Sequence, residues 1–109
     1  MIPIDELRQK LRAAGIPFES NVEDREYSEY DFKRYGEAAR YEINQIVYGR
    51  IDDENWKFDA IFHYGSYGSK DGRLEVWGSL VGDEPEVMEV DEAFEMIEND
   101  WREAKMEYI

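Results

Sequence analysis

Residues 56–64, WKFDAIFHY, alternate between two sets of side chains. No other stretch of the sequence restricts the possible folds of this chain as strongly. A period of two places successive side chains on opposite faces of a β-strand. One set is almost entirely aromatic and consists of Trp56, Phe58, Ala60, Phe62 and Tyr64. The other set consists of Lys57, Asp59, Ile61 and His63. The stretch therefore predicts a strand with one apolar face.

Two neighbouring stretches predict further strands of the same sheet. Residues 40–48, RYEINQIVY, are rich in β-branched and aromatic side chains, and residues 73–81, RLEVWGSLV, alternate again. The connections 49–55 and 65–72 are too short for the crossovers that parallel strands need. We therefore predict a three-stranded antiparallel meander.

Helices are predicted on both sides of this meander. Residues 4–14 and 91–107 each repeat apolar side chains at the spacing of one helix face. The fold class is therefore α+β, and a length of 109 residues predicts a single domain over 1–109. Residues 16–39 have no clean period, and both a short helical turn and an irregular aromatic loop are left open there.

The alternation also predicts which side chains meet in the core. We expect the following to be largely buried together: Phe58, Phe62, Val76, Leu80, Phe94, Ile97 and Trp101. The opposite face of the sheet carries Ile61, His63 and Trp77. Because exposed tryptophan patches are unfavourable, we expect the first helix to cover that face, and a partner protein is the alternative cover.

The charge of the chain is strongly acidic. It has 27 acidic and 13 basic residues, a net charge of −14, with −9 of this in residues 83–109. An aromatic content of 15% argues against a disordered acidic tail. Because affinity for a phosphate backbone comes mainly from Lys and Arg, direct binding of nucleic acid is not expected.

The rarer residue types exclude several kinds of site. The absence of cysteine excludes disulfides, thiolate nucleophiles and zinc sites with sulfur ligands. A single histidine, without cysteine, does not build a typical transition-metal site, so neither metal nor cofactor is predicted. No apolar run is long enough for a signal peptide or a membrane span, which predicts a cytoplasmic protein with no membrane partner.

The glycine-rich stretch from His63 to Gly78 is most suggestive of chemistry. A phosphate-binding loop needs G-x-x-x-x-G-K-[ST] before a helix, whereas these glycines are spaced differently and precede a strand. The Asp71–Gly72 step is instead typical of a hairpin turn. The acidic run at 52–54 lacks the alternating spacing of a calcium loop and predicts a solvated turn.

These observations favour a non-catalytic binding or accessory protein that acts through protein–protein contacts. The candidate surface for a basic partner is the acidic side of the last helix, formed by Glu92, Glu95, Glu98, Asp100, Glu103 and Glu107. A second candidate surface is the face with Ile61, His63 and Trp77. One alternative function is a nucleic-acid mimic that inhibits a DNA-binding protein such as a host-defence nuclease. Another is a small enzyme that uses His63, and self-association is left open.

The stretch FHYGSYGSKDGRLEVWGSLV, followed by EVDEAFEMIEND, resembles a group of small acidic proteins of phages and prophages of Gram-positive bacteria. The resemblance covers about residues 56–98. The matching positions are Phe62, Gly65, Ser66, Tyr67, Gly68, Gly72, Leu74, Glu75, Gly78 and Leu80. It implies a phage context and assigns no catalytic residue.

Overall fold

A computed structural model describes residues 1–106, which form an α+β fold. The α-helices of this part of the chain are α1 (Pro3–Ala13), α2 (Glu29–Tyr35) and α3 (Val90–Met106). The two predicted helices are confirmed as α1 and α3. The last predicted helical residue, Glu107, lies outside the described residues.

The sheet has five antiparallel strands in this part of the chain, and their order in space is their order in sequence. They are β1 (Glu19–Asp24), β2 (Tyr41–Arg50), β3 (Trp56–Ile61), β4 (Leu74–Trp77) and β5 (Glu86–Met88). The predicted meander is therefore the centre of a larger sheet, and the prediction of three strands is wrong. β1 shows no alternation because all its residues are exposed, and β5 has only three residues.

The core lies between one face of the sheet and the helices α1 and α3. Its largest fully buried side chains include Phe58 and Phe62 of the sheet region and Ile97 of α3. Four of the seven predicted core residues belong to this buried cluster and the other three pack against it, so the prediction is confirmed in part. Leu80, Phe94 and Trp101 are only partly buried because they lie at its margin.

The helix α1 docks through both apolar and polar contacts. Ile4, Leu7 and Leu11 recur at helical spacing and are fully buried. Arg8 is also buried, and its guanidinium donates to Asn44 Oδ1 at 2.7 Å and to Ser20 Oγ at 2.8 Å, and to the Asp5 carboxylate at 2.9 Å. These bonds satisfy a charge that is costly to bury alone, and they fix α1 across β1 and β2.

The third strand ends before the alternation in the sequence does. β3 stops at Ile61, because the chain turns at His63, whose carbonyl accepts from the Ser66 backbone N–H at 3.0 Å. The following loop contains a single 3-10 turn at Ser69–Asp71, and the glycines at 65, 68 and 72 all have positive φ values. The loop predicted between two strands is confirmed, although it is longer than a tight hairpin turn.

The fourth strand is also shorter than predicted and ends at Trp77 rather than at residue 81. Gly78 has φ +126°, and a Cβ atom there would lie 2.5 Å from the Lys57 carbonyl oxygen. Only glycine fits this close approach of two backbones. The backbone then leaves the ladder, with Ser79 N bonded to Trp56 O at 3.1 Å.

The segment 16–39, left open by the sequence, folds into β1 and the short helix α2. Ser28 caps α2, because its hydroxyl accepts from Asp31 N while the Asp31 carboxylate accepts from Ser28 N, a reciprocal capping box. The guanidinium of Arg25 lies 4.1 Å from the ring centre of Tyr64. This contact helps to hold the segment against the loop after β3.

The other face of the sheet is not covered by either long helix, because α1 and α3 both pack on the core side. The expectation that the first helix covers this second face is therefore wrong. We call it the uncovered face and define it by the side chains of Ile43, Gln45, Val47, Asp59, Ile61, Glu75, Trp77 and Val87, of which Val47 is only 1% exposed. The assignment of His63 to this face is also wrong, since His63 lies in the loop beyond the end of β3.

Candidate functional site

The histidine and the nearby serines each bond to the backbone rather than to one another. The His63 ring donates from Nδ1 to the Tyr64 carbonyl oxygen at 2.8 Å. The Ser66 hydroxyl donates to the His63 carbonyl at 2.8 Å, and the buried Ser69 hydroxyl donates to the Ser66 carbonyl at 2.9 Å. A nucleophile needs a side-chain base within hydrogen-bonding reach, and these bonds instead organise the loop.

The acidic side of α3 is less continuous than the sequence suggests. Glu92, Glu95 and Glu103 are exposed on it, whereas Glu107 lies outside the described residues. Glu98 is partly buried, and its carboxylate lies 3.3 Å from the Arg102 guanidinium. Three of the six predicted carboxylates are thus available to a partner in the described part of the helix.

Asp100 faces the sheet and not the solvent. Its Oδ2 atom accepts from the Tyr48 hydroxyl at 2.6 Å and from Lys57 Nζ at 3.0 Å, and its side chain is only 18% exposed. The pKa of Tyr48 is raised above its ordinary value, mainly by burial and secondly by the hydrogen bond to Asp100. The placement of Asp100 on the solvated acidic side is therefore wrong, because its carboxylate fastens α3 to β2 and β3.

The uncovered face combines exposed apolar groups with carboxylates. Ile43 and Val87 are each 39% exposed and Trp77 is 47% exposed, on three different strands. Glu75 and Asp59 lie among them, and the Glu75 carboxylate accepts from the Tyr67 backbone N–H at 2.8 Å. Exposed apolar side chains beside charged groups, on a regular sheet, are typical of a surface that a partner covers.

Asp59 is the buried carboxylate of this face. It is 8% exposed and accepts from Gln45 Nε2 at 3.0 Å. Burial raises the pKa of Asp59 above its ordinary value, while the bond from Gln45 acts in the opposite direction. The indole N–H of Trp56 also lowers this pKa, although it makes no full hydrogen bond in the described part of the chain.

A cleft of about 330 Å³ lies at one end of the uncovered face. The rings of Trp56 and Trp77 form its corner, with centroids 6.4 Å apart and planes at 89°. Its remaining lining residues are Ile51, Glu54, Asn55, Gly78 and Ser79. The alternation in the sequence predicts that Trp56 lies on the apolar core face, and this prediction is wrong because the backbone irregularity opposite Gly78 interrupts the alternation.

A second group of exposed aromatic side chains lies on and before α2. Tyr27, Tyr30 and Phe32 are 44%, 65% and 40% exposed. Tyr27 and Phe32 pack against each other, with ring centres 6.3 Å apart, and the Tyr30 hydroxyl accepts from Arg34 at 3.1 Å. These two contacts lie within one short segment of the chain, and the Arg40 guanidinium lies 6.0 Å from the Tyr27 ring centre.

Residues 1–106 contain neither a metal-binding cluster nor a helix that could span a membrane. No group of three or more His, Asp or Glu side chains in this range could hold a metal ion. None of its helices is long and apolar enough to cross a membrane.

Sequence reasoning missed the cleft, although Gly78 in its lining and Asp59, which pairs with Trp77, each left a trace in the sequence. Asp59 interrupts a strand that is otherwise mostly apolar, and Gly78 interrupts the next one. A charged residue and a glycine on adjacent strands are what a polar, closely approached site requires. Comparison of the chain with protein-family models, with curated proteins and with solved structures finds no match to any of them.

Proposed function

We propose that this protein is a non-catalytic binding protein, and that its uncovered face engages a protein partner of net positive charge. The observation that supports this most directly is that the chain packs both long helices on one face of the sheet. The other face is left with Ile43, Trp77 and Val87 partly exposed on three strands. A partner that covers these side chains removes their apolar surface from water, which is favourable in proportion to the area buried.

The charge of the chain favours a basic partner over a second copy of the chain. Two copies would bring two net charges of −14 together, and such repulsion opposes association. A basic partner gains both the attraction and the steering that complementary charge provides. Residues on the proposed surface contribute to this field directly, since Asp59 and Glu75 lie within it.

The two other functions considered have less support. Mimicry of nucleic acid through α3 needs a continuous row of free carboxylates, but Asp100 bonds to Lys57 and Tyr48 and Glu98 pairs with Arg102. Catalysis by His63 needs a nucleophile bonded to its ring, and the neighbouring serines bond to the backbone instead. The phage context stays an expectation of the sequence resemblance alone.

The proposal is tested with two variants of equal charge. Ile43→Lys with Val87→Lys alters the uncovered face and changes the net charge from −14 to −12. Glu95→Gln with Glu103→Gln alters the exposed side of α3 and makes the same change in net charge. Partners are captured with the unaltered protein, identified by mass spectrometry, and purified for titration against all three proteins at low and high salt.

We expect a partner of high isoelectric point whose affinity falls at high salt, where the screening length shortens to about 3 Å in 1 M salt. The uncovered-face variant should lose at least tenfold in affinity, and the α3 variant should bind like the unaltered protein. Equal weakening by both variants would indicate a diffuse charge effect and refute the proposal. Loss confined to the α3 variant would refute it in favour of mimicry, and a stable homodimer through this face would refute the choice of partner.

A further inference from the structure

The cleft at the end of the uncovered face has walls of a particular chemical kind. Trp56 and Trp77 meet at nearly a right angle, so a flat group stacked on one ring meets the edge of the other. The faces of indole rings carry negative potential and attract cations, and tryptophan does so more strongly than the other aromatic residues. The walls therefore favour a flat, positively charged group.

The charge around the cleft has the sign that such a group requires. Glu54 lines the cleft, and Asp52 and Asp53 lie in the same turn between β2 and β3. Asp59 lies directly opposite Trp77 in the pairing of β3 with β4 and adds a carboxylate on the same face. A neutral ligand such as a sugar would gain nothing from this concentration of negative charge.

The chain itself already places a guanidinium beside one of these rings. The Arg50 guanidinium lies 5.9 Å from the Trp56 ring centre, and its Nε atom donates to Glu19 Oε2 at 2.6 Å. The Glu19 carboxylate thus compensates the charge of Arg50 locally. Glu54, which lines the cleft in the turn between β2 and β3, does not take part in the Arg50–Glu19 ion pair.

The cleft is organised before any ligand arrives. The Asp52 carboxylate accepts from Glu54 N at 2.8 Å and from Asn55 Nδ2 at 3.0 Å, which fixes the turn. On the opposite side, Ser79 N is bonded to Trp56 O at 3.1 Å. Because both lining segments are held by hydrogen bonds, binding need not order them, and less affinity is lost to ordering.

We infer that the Trp56–Trp77 cleft binds the guanidinium of an arginine side chain, which stacks on an indole ring and meets the Glu54 carboxylate. Arginine is favoured over lysine because its planar group stacks on aromatic faces and forms paired hydrogen bonds with carboxylates. The inference rests on the proposed function in one respect, since the arginine would belong to the basic partner. It goes further by naming the residue type that anchors that partner.

The test uses a single amino acid, so that it does not depend on identifying the partner. N-acetyl-arginine N-methylamide is titrated into the full chain, and the three indole N–H resonances are followed by NMR after assignment with Trp→Phe variants. The matched control ligand is N-acetyl-citrulline N-methylamide, which has nearly the same shape without the charge. Methyl glucoside tests whether the cleft takes a sugar instead.

We expect saturable shifts of the Trp56 and Trp77 resonances with the arginine probe, and at least fivefold weaker binding of the citrulline probe. Trp77→Ala should abolish the shift of Trp56, and Glu54→Gln should weaken binding about threefold. The Trp101 resonance should not move, and it also reports whether each variant is folded. Equal binding of both probes, binding of methyl glucoside alone, or shifts confined to Trp101 would each overturn the inference.

The two proposals can fail separately. Arginine binding in the cleft, with partner affinity unchanged by Ile43→Lys and Val87→Lys, would refute the proposed function and leave the cleft inference intact. A partner lost by that double variant, together with no probe binding at the cleft, would refute the cleft inference alone.

Discussion

The two faces of the sheet are made by the same strands yet are built differently. On the helix-covered face, Phe58 and Leu74 are fully buried and the Arg8 guanidinium bonds to Asn44, although the buried Trp101 Nε1 has no hydrogen-bond partner among the described residues. On the uncovered face, Trp77 is 47% exposed and the buried carboxylate of Asp59 has a raised pKa. Each side of the sheet has one buried indole N–H without a partner among the described residues, so the two faces differ mainly in how much apolar surface they leave exposed.

The difference teaches where stability and binding reside in this molecule. The helix-covered face removes apolar surface from water and satisfies the charge that it encloses, which stabilises the fold. The uncovered face keeps the Trp77 ring half exposed and encloses the Asp59 carboxylate, and we expect both to contribute little to folding at neutral pH. Changes on the first face should therefore act on unfolding, and changes on the second should act on binding.

The largest effect is expected for Phe58→Ala on the helix-covered face. Phe58 is fully buried in the core cluster, so truncation loses its transfer free energy and leaves a cavity. We expect a loss of about 3–5 kcal/mol in the free energy of unfolding, measured by urea denaturation. A loss below about 1 kcal/mol would show that the helices do not pack on this face as described.

The next largest effect is expected for Arg8→Met, which removes the buried charge from the same face. The substitution leaves Asn44 Oδ1, in a side chain only 1% exposed, without its donor. We expect a loss of about 2–3 kcal/mol, mainly the cost of this unpaired acceptor. Adding Asn44→Leu should restore at least half of the loss, since both polar partners are then gone. No recovery in this double-mutant cycle would show that the bond is not what links α1 to β2.

The sequence predicted the parts of the fold where period and burial coincide. The core positions of β3 and β4 followed from their alternation, because every second side chain of these strands is buried on the helix-covered face. The core positions of α3 followed from helical spacing. β1 could not be found this way, since none of its residues is buried and it is held in the sheet by pairing with β2 and by the bond from Arg8 to Ser20. The helix α2 was left open because its stability depends on a local cap at Ser28 rather than on an apolar face.

The candidate site was predictable only in part, because it depends on how the strands register. Ile61 and Trp77 were assigned to one face, and the pairing of β3 with β4 bears this out. Trp56 was assigned to the wrong face, since the close approach of Gly78 to Lys57 breaks the alternation that the assignment assumed. Asp100 was assigned to solvent because helical spacing cannot reveal that Tyr48 and Lys57 reach it from the sheet.

A smaller effect, on the uncovered face, is expected from Asp59→Asn as a function of pH. The pKa of Asp59 is raised in the folded protein, chiefly by burial, so the folded state holds this proton more tightly than the unfolded state. This group therefore stabilises the fold below its unfolded pKa of about 4, and that contribution is lost as the pH rises through the folded pKa.

Asparagine at this position does not titrate but can still accept from Gln45. The unfolding free energy of Asp59→Asn, relative to the unaltered protein, should therefore increase from pH 3 to pH 7 in parallel urea titrations. A difference that stays constant across this range would show that Asp59 is no less solvated in the folded state. A difference in unfolding free energy that decreases from pH 3 to pH 7 would mean that folding lowers the pKa of Asp59 instead of raising it.

The smallest effect on stability is expected for Trp77→Ala, the same variant that should abolish arginine binding. Trp77 is half exposed, and its main described contact is the edge-to-face packing with Trp56, which is worth about 1 kcal/mol. The matched variant Trp101→Ala removes the same side chain from the helix-covered side, where it packs against the core cluster, and should reduce the unfolding free energy more. Both are measured by urea denaturation alongside the NMR titration. Equal losses for the two tryptophans would mean that the uncovered face is part of the folding core, and the separation of stability from binding would then be wrong.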